Sequence, residues 1–314
     1  MTAPVRYAFF GPSGTFTEDA LIEYVGRLPG QHQVEAAPYD TVPAALDAVR
    51  RGEVVAAMVP FENSVEGSVN VTLDELAGGE HLVILGEVVL PIAFSMMVRP
   101  GTRPDQVRTT SSHPHAYPQF RRWFTAHFPD AQWQPSASNA QAARDVAEGR
   151  FDAAFASPRS AELYGLEVLQ AGIHDTEGAE TRFVLVGRPG DVPPSTGADK
   201  TSLVLYIGED HPGALLQILT ELAVRGVNLT RIESRPTGGG LGSYCFSVDA
   251  EGHIDDARVR EALIGLHRVC KDVRFLGSYP SANQQQPVLR LGVTDAEFAE
   301  AQAWLDRVRR GETP

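Results

Sequence analysis

A chain of 314 residues, 43% hydrophobic and 21% charged, has enough apolar material for two or three folding units and is no disordered polymer. Its net charge of −13 argues against a nucleic-acid surface, which needs a basic face, and no apolar run approaches the ~20 residues of a membrane span. Cys245 and Cys270, the two cysteines, show neither CxxC spacing nor a nearby histidine pair, which speaks against a metal site and a disulfide framework. A cytoplasmic protein is expected, because the chain enters a strand at Val5 without a basic region or an apolar leader.

From Val5 to about Gly187 short apolar runs alternate with helical patterns, the signature of an α/β fold with a mostly parallel sheet. Arg6 to Phe10 is a strand, and Gly11-Pro12-Ser13-Gly14 turns into a helix with a capping box from Thr15 to Glu18. A helix over Thr41 to Arg51 and a buried strand over Val54 to Pro60 follow, then, after Gly67 and Ser68, a helix running to Leu76. Strands are predicted at Leu82 to Leu90, Ile92 to Val98 and Ala153 to Ala156, and helices at His115 to His127, Asn139 to Gly149 and Pro158 to Tyr164. Thr181 to Val186 is the last strand. Crossings at Glu87 to Phe94 and at Gly165 to Glu177 would divide this region, 1–188, into two lobes around a cleft, a common small-molecule site.

Residues 189–200, rich in Pro and Gly, read as a linker. Beyond it, over 201–280, strands at Leu203 to Ile207, Leu229 to Arg235, around Phe246, and at Val273 to Tyr279 alternate with helices marked by Leu215, Leu219 and Leu222 and by Val259, Leu263 and Leu266. That order is βαββαβ, ferredoxin-like. Over 281–314 a loop leads to a helix capped by Thr294 and Glu297, whose Phe298, Ala301, Trp304, Leu305 and Val308 form one apolar face.

Polar clusters at the strand and helix ends are the candidates for chemistry. Glu62-Asn63-Ser64 follows a buried strand, and the N–H groups at Gly67 to Val69 suit a carboxylate; the same residues also make an ordinary Asx turn. Ser112-His113-Pro114-His115 and Asn139 precede helices, where they either cap or contact a ligand. Thr181, Arg182 and Phe183 join a hydroxyl, a guanidinium and an aromatic face. Strand alternation sends Arg182 away from the other two unless the strand end twists.

Gly11-Pro12-Ser13-Gly14-Thr15-Phe16, Glu62-Asn63-Ser64, Ser112-His113-Pro114, Thr181-Arg182-Phe183 and Glu233-Ser234-Arg235-Pro236 together resemble the motif series of bacterial prephenate dehydratases with a C-terminal ACT domain, in the family's order. The resemblance implies a two-lobed catalytic region like that of periplasmic binding proteins, and decarboxylative dehydration of prephenate to phenylpyruvate without a cofactor or metal. On it Thr181 is the essential hydroxyl, Arg182 a carboxylate clamp and Glu62 the rival acid. Asn63, Ser64, Gly67, Ser112, His113, Asn139 and Phe183 would bind substrate. It also implies feedback by L-phenylalanine at the ACT domain. The turn Asp210-His211-Pro212-Gly213 and the helix start at Ala214 would take its carboxylate, Leu215 and Leu216 its ring, and Asn228 with Glu233, Ser234, Arg235 and Pro236 its polar end. His115 stands where the family often has Gln, and Leu216 where Val is usual.

A homodimer or homotetramer is expected, because ferredoxin-like sheets often pair across subunits. The rival readings are a solute-binding protein and a metabolite-sensing regulator without activity. A fused chorismate mutase is not expected, since no long helical segment precedes Arg6. Prephenate and its transaminated form, arogenate, stay open as alternatives.

Overall fold

The computed structural model describes residues 4–28, 33–208, 211–237 and 244–312. They fall into two compact units, Met1–Glu75 with Val88–Arg188 and Leu76–Glu87 with Pro189–Pro314. None of the described helices is long and apolar enough to cross a membrane.

The chain begins with β1 (Val5–Phe10), α1 (Phe16–Gly26), β2 (Val34–Tyr39), α2 (Val42–Arg50), β3 (Ala56–Asn63), the short β4 (Gly67–Ser68), α3 (Asn70–Ala77) and β5 (Val83–Pro91). A second lobe follows: β6 (Phe94–Val98), β7 (Thr109–Ser112), α4 (Arg121–His127), β8 (Gln132–Pro135), α5 (Asn139–Ala147), β9 (Ala153–Ala156), α6 (Pro158–Tyr164) and β10 (Glu167–Ile173). The chain then returns as β11 (Glu180–Gly187) to the first sheet, ordered β2-β1-β3-β11-β5 with β4 beside β3. The second sheet runs β10-β6-β9-β7-β8. The two crossings lie side by side, with the Ile92 N–H donating to the Ala179 carbonyl at 2.7 Å.

Both sheets are mixed, not mostly parallel. β1 is parallel to β2 and β3, but β11 is antiparallel to β3, and β6 is antiparallel to β10 and β9. β11 comes back from the other lobe and not from a crossover helix, so nothing obliges it to run parallel. The hydrophobic pattern does not predict β2, β8 and β10, which are sheet edges, nor β7, which is internal but consists of Thr-Thr-Ser-Ser and so shows no apolar alternation. The return crossing is accordingly shorter than expected, since Glu167–Ile173 is a strand of the second sheet. The helix expected over His115 to His127 is a 3₁₀ turn, Tyr117–Gln119, followed by α4, because Pro118 has no N–H for a continuous ladder.

The second unit is βαββαβ: β12 (Asp199–Tyr206), α7 (Ala214–Ala223), β13 (Leu229–Pro236), β14 (Tyr244–Glu251), α8 (Ala257–Val269) and β15 (Asp272–Pro280), with sheet order β13-β14-β12-β15. β12 already starts at Asp199, two residues inside the expected linker. Leu203, Leu205 and Val248 of the strands pack on Ile218 and Leu222 of α7 and on Val259 and Leu266 of α8. The buried face of α7 is thus Ala214, Ile218 and Leu222, and Leu215 lies outside it. The terminal helix α9 (Asp295–Arg309) carries the predicted capping box, and the N–H groups of Thr294 and Gly292 hold the Glu297 carboxyl down at about 2.

Leu76–Glu87 joins this unit although it precedes it by more than a hundred residues. The Tyr206 hydroxyl and the Arg274 guanidinium both donate to the Ala77 carbonyl, at 2.5 and 2.7 Å. At the other end the almost fully buried Glu87 carboxylate accepts from Lys200 Nζ at 2.9 Å and from the Ala282 N–H at 2.8 Å.

Candidate active site

The first residues of β11 lie opposite the last residues of β3, with Thr181 paired to Asn63, Arg182 to Glu62 and Phe183 to Pro60. Phe61 is bypassed in a bulge, a device that re-aims side chains at a strand end. Alternation along β11 holds: Thr181 and Phe183 face a cavity of about 540 Å³, and Arg182 does not.

The Asn63 amide fixes the direction of the Thr181 hydroxyl. Asn63 Oδ1 accepts from the N–H groups of Val65 (2.8 Å) and Glu66 (3.0 Å), so its Nδ2 turns to Thr181 Oγ1 and donates at 2.8 Å. The nearly buried Thr181 oxygen thereby accepts from the protein and has its own proton to donate to a ligand. Asn139 and His113 reach the same cavity, locked together by the bond from the His113 N–H to Asn139 Oδ1 at 2.8 Å. The cap of α5 is therefore Ser138, whose Oγ accepts from the Gln141 N–H, and not Asn139. Burial and the neighbouring His115 push the His113 imidazole below the usual histidine value, and its Nδ1 accepts the His115 N–H at 3.3 Å. Both favour the neutral ring, and an accepting Nδ1 goes with a proton on Nε2.

Five expected site residues lie off the cavity wall. Arg182 is buried with its guanidinium 4.6 Å over the Phe61 ring and 3.7 Å from Glu62, so this pair braces the back of the sheet and is no carboxylate clamp. Ser64 ties β11 in place: its Oγ accepts the Glu180 N–H at 2.9 Å and its N–H donates to the Glu180 carbonyl. Gly67 pairs with Asn63 in the β3–β4 ladder, and the nearby Val69 N–H is occupied by the Phe61 carbonyl. Ser112 is fully buried, accepting from Trp133 Nε1 at 2.9 Å.

Gly11, Pro12, Gly14, Thr15 and Phe16 of the first motif also line the wall, as do residues that no motif singles out in the sequence. Gln119 sits there, its Nε2 bonded to the His115 carbonyl at 3.1 Å and its Oε1 without a partner among the described residues. It lies in the 3₁₀ turn where the sequence predicts plain helix, which hid its direction. Asp40, Glu66 and His115 are also on the wall, with Glu66 3.2 Å from His115. No Lys or Arg lines the cavity among the described residues. The first residues of α1 and α5 form part of the wall, and a helix start is where a carboxylate finds backbone N–H groups and a favourable dipole. Among the described residues no three His, Cys, Asp or Glu side chains gather as a metal site.

In the second unit Gly213 takes a left-handed conformation, φ +91°, before α7, and Leu216 stands 67% exposed on that helix. Asn228 is exposed just ahead of the edge strand β13, on which Glu233 lies between Arg231 and Arg235. Ser234 and Pro236 are exposed on the same strand. Asp210 lies outside the described residues.

A sequence profile of the family described as prephenate dehydratase matches residues 7–191, the whole of the two-lobed region. The chain belongs to the prephenate dehydratase family. The ACT domain profile matches residues 202–268. A prephenate dehydratase of Mycobacterium marinum is 49% identical over 98% of this chain and 96% of its own. The crystal structure of prephenate dehydratase from Arthrobacter aurescens in complex with L-Phe superposes with a TM-score of 0.91 at 48% identity, covering 98% of this chain and 100% of that one. GqqA, described as a novel type of quorum-quenching acylase, shares the fold with a TM-score of 0.78 at 31% identity over 89% of this chain and all of its own. Prephenate carries two carboxylates and a ring hydroxyl, so a site for it needs hydrogen-bond donors, and the directed Thr181 hydroxyl and the starts of α1 and α5 are donors on this wall.

Proposed function

We propose that the two-lobed region, 1–188, converts prephenate to phenylpyruvate, carbon dioxide and water, acting as a carbon–oxygen lyase. The observation that carries this is the Asn63–Thr181 pair, which leaves a threonine proton directed at a cavity open to two helix N-termini. When the ring carboxylate leaves as carbon dioxide, its bonding electrons complete the aromatic ring while the ring C–O bond breaks, and the departing oxygen takes up one proton to become water. Aromatisation supplies the driving force. The protein anchors the carboxylates, holds the ring against Phe183 and donates the Thr181 hydrogen bond to the departing oxygen. No step needs a cofactor. Incubating the protein with prephenate should yield phenylpyruvate with EDTA present; no turnover, or turnover that EDTA abolishes and a divalent ion restores, overturns the reading. Arogenate in the same assay reports substrate preference.

The ACT domain takes L-phenylalanine as a feedback inhibitor, as the ligand of the Arthrobacter aurescens relative supports. Gly213 to Leu216 and Asn228 with Glu233 to Pro236 are the residues assigned to it, in a cytoplasmic homodimer or homotetramer that light scattering can identify. Calorimetry should show phenylalanine affinity falling for Ser234→Ala and Asn228→Ala. Because coupling is reciprocal, typically ~1–3 kcal/mol, a substrate analogue in the cavity should also weaken phenylalanine binding. Unchanged affinity in both variants refutes the site.

A further inference from the structure

Thr15 stands at the start of α1 with the backbone of an N-cap, φ −91° and ψ 159°, yet its side chain makes no capping hydrogen bond. Its Oγ1 is buried without a hydrogen-bond partner among the described residues, and the residue lines the cavity. A buried hydroxyl left unsatisfied is costly, by ~1–3 kcal/mol, and is rare without a reason.

The loop before it is built to keep that hydroxyl where it is. The Gly14 N–H donates to Glu18 Oε2 at 2.6 Å, so Glu18 takes the place at the helix start that the capping box would have shared with Thr15. The Gly14 carbonyl accepts from two buried hydroxyls of the other lobe, Ser157 at 3.0 Å and Ser160 at 2.7 Å. Gly14 itself has φ +91°, and a Cβ there would fall 2.9 Å from Ser160 Oγ. At Gly11, φ +109°, a Cβ would press on the Thr15 side chain at 3.0 Å. Two glycines and a clamp across the lobes therefore hold Thr15 against the cavity instead of letting it turn back onto the helix.

We infer that Thr15 is a substrate-binding residue whose hydroxyl donates to one carboxylate of the substrate, beside the first turn of α1. The cavity wall has no Arg or Lys among the described residues, so such neutral donors carry the recognition of a dianion. A carboxylate also satisfies the buried Thr15 oxygen, which has no partner among the described residues.

The inference rests on the cavity being the prephenate site, which wild-type turnover tests separately. Thr15→Val keeps the shape and removes the hydroxyl. It should raise KM for prephenate about 10- to 100-fold, the range for a lost bond to a charged acceptor, with a smaller change in kcat. Thr15→Ser should restore KM to near the wild-type value. The melting temperature decides between binding and capping: without a capping bond to lose, Thr15→Val should melt at or above the wild-type temperature. A KM within twofold of wild type, or a Thr15→Val chain that fails to fold or melts several degrees lower, overturns the inference.

Discussion

Thr181→Ala should lower kcat by at least about 10²-fold while the protein stays folded, because a positioned proton or hydrogen-bond donor is typically worth ~10²–10⁴ in rate. That range corresponds to roughly 3–5 kcal/mol of the barrier. The Asn63 amide makes the case specific: it fills the acceptor side of the Thr181 oxygen at 2.8 Å, leaving donation to substrate as the role of the hydroxyl. Thr181→Ser should therefore keep much of the activity, and Asn63→Ala should lose part of it by freeing the rotor. Arg182→Ala should behave differently, since its guanidinium covers Phe61 behind the wall and its loss removes packing. Steady-state kinetics with melting curves separate the two: a large kcat loss at constant melting temperature for Thr181, and a lowered melting temperature for Arg182. Normal turnover by Thr181→Ala, with Glu62→Gln inactive, would transfer the acid role to Glu62.

A chain ending at Pro194 should fail to give a stable catalytic region. The Pro- and Gly-rich stretch suggests a clean boundary there, but Leu76–Glu87 has its partners beyond it. Leu76, Leu82 and Ile84 are each at most 1% exposed, and burial of such side chains is worth ~1.5–3 kcal/mol apiece. The Ile84 carbonyl lies so close to Gly277 that a Cβ there would meet it at 2.4 Å. Glu87 would lose Lys200 and the Ala282 N–H together, and stripping one partner from a buried ion pair costs ~3–5 kcal/mol. These losses rival the ~5–15 kcal/mol by which whole domains are stable. Low soluble yield, or a melting temperature more than about ten degrees lower, is the expected result. A shortened chain that melts like the full protein and turns over prephenate would show instead that Leu76–Glu87 is dispensable.

The βαββαβ order is legible in the sequence because each of its elements carries a clear period, and the motifs that hold Asn63, His113, Asn139, Thr181 and Phe183 converge on one cavity. Alternation alone implies that Arg182 turns away from Thr181. The edge strands β2, β8 and β10 stay hidden because most of their residues are not buried, and the internal β7 because Thr-Thr-Ser-Ser carries no apolar residue.

What the sequence determined by itself was local: which segments are helix or strand, where they cap, and which polar side chains stand at their ends. The tertiary structure decided what those side chains do. Ser64, Ser112 and Gly67 resemble Asn63 and Asn139 in sequence context, yet their hydrogen bonds are taken up by strands and an indole that arrive from other parts of the chain. Thr15 is the converse: its hydroxyl has no partner among the described residues, while Ser157 and Ser160, more than 140 residues away, bond the neighbouring Gly14 carbonyl. A polar group's role depends on which partners reach it first, and that competition is settled only when the distant segments pack.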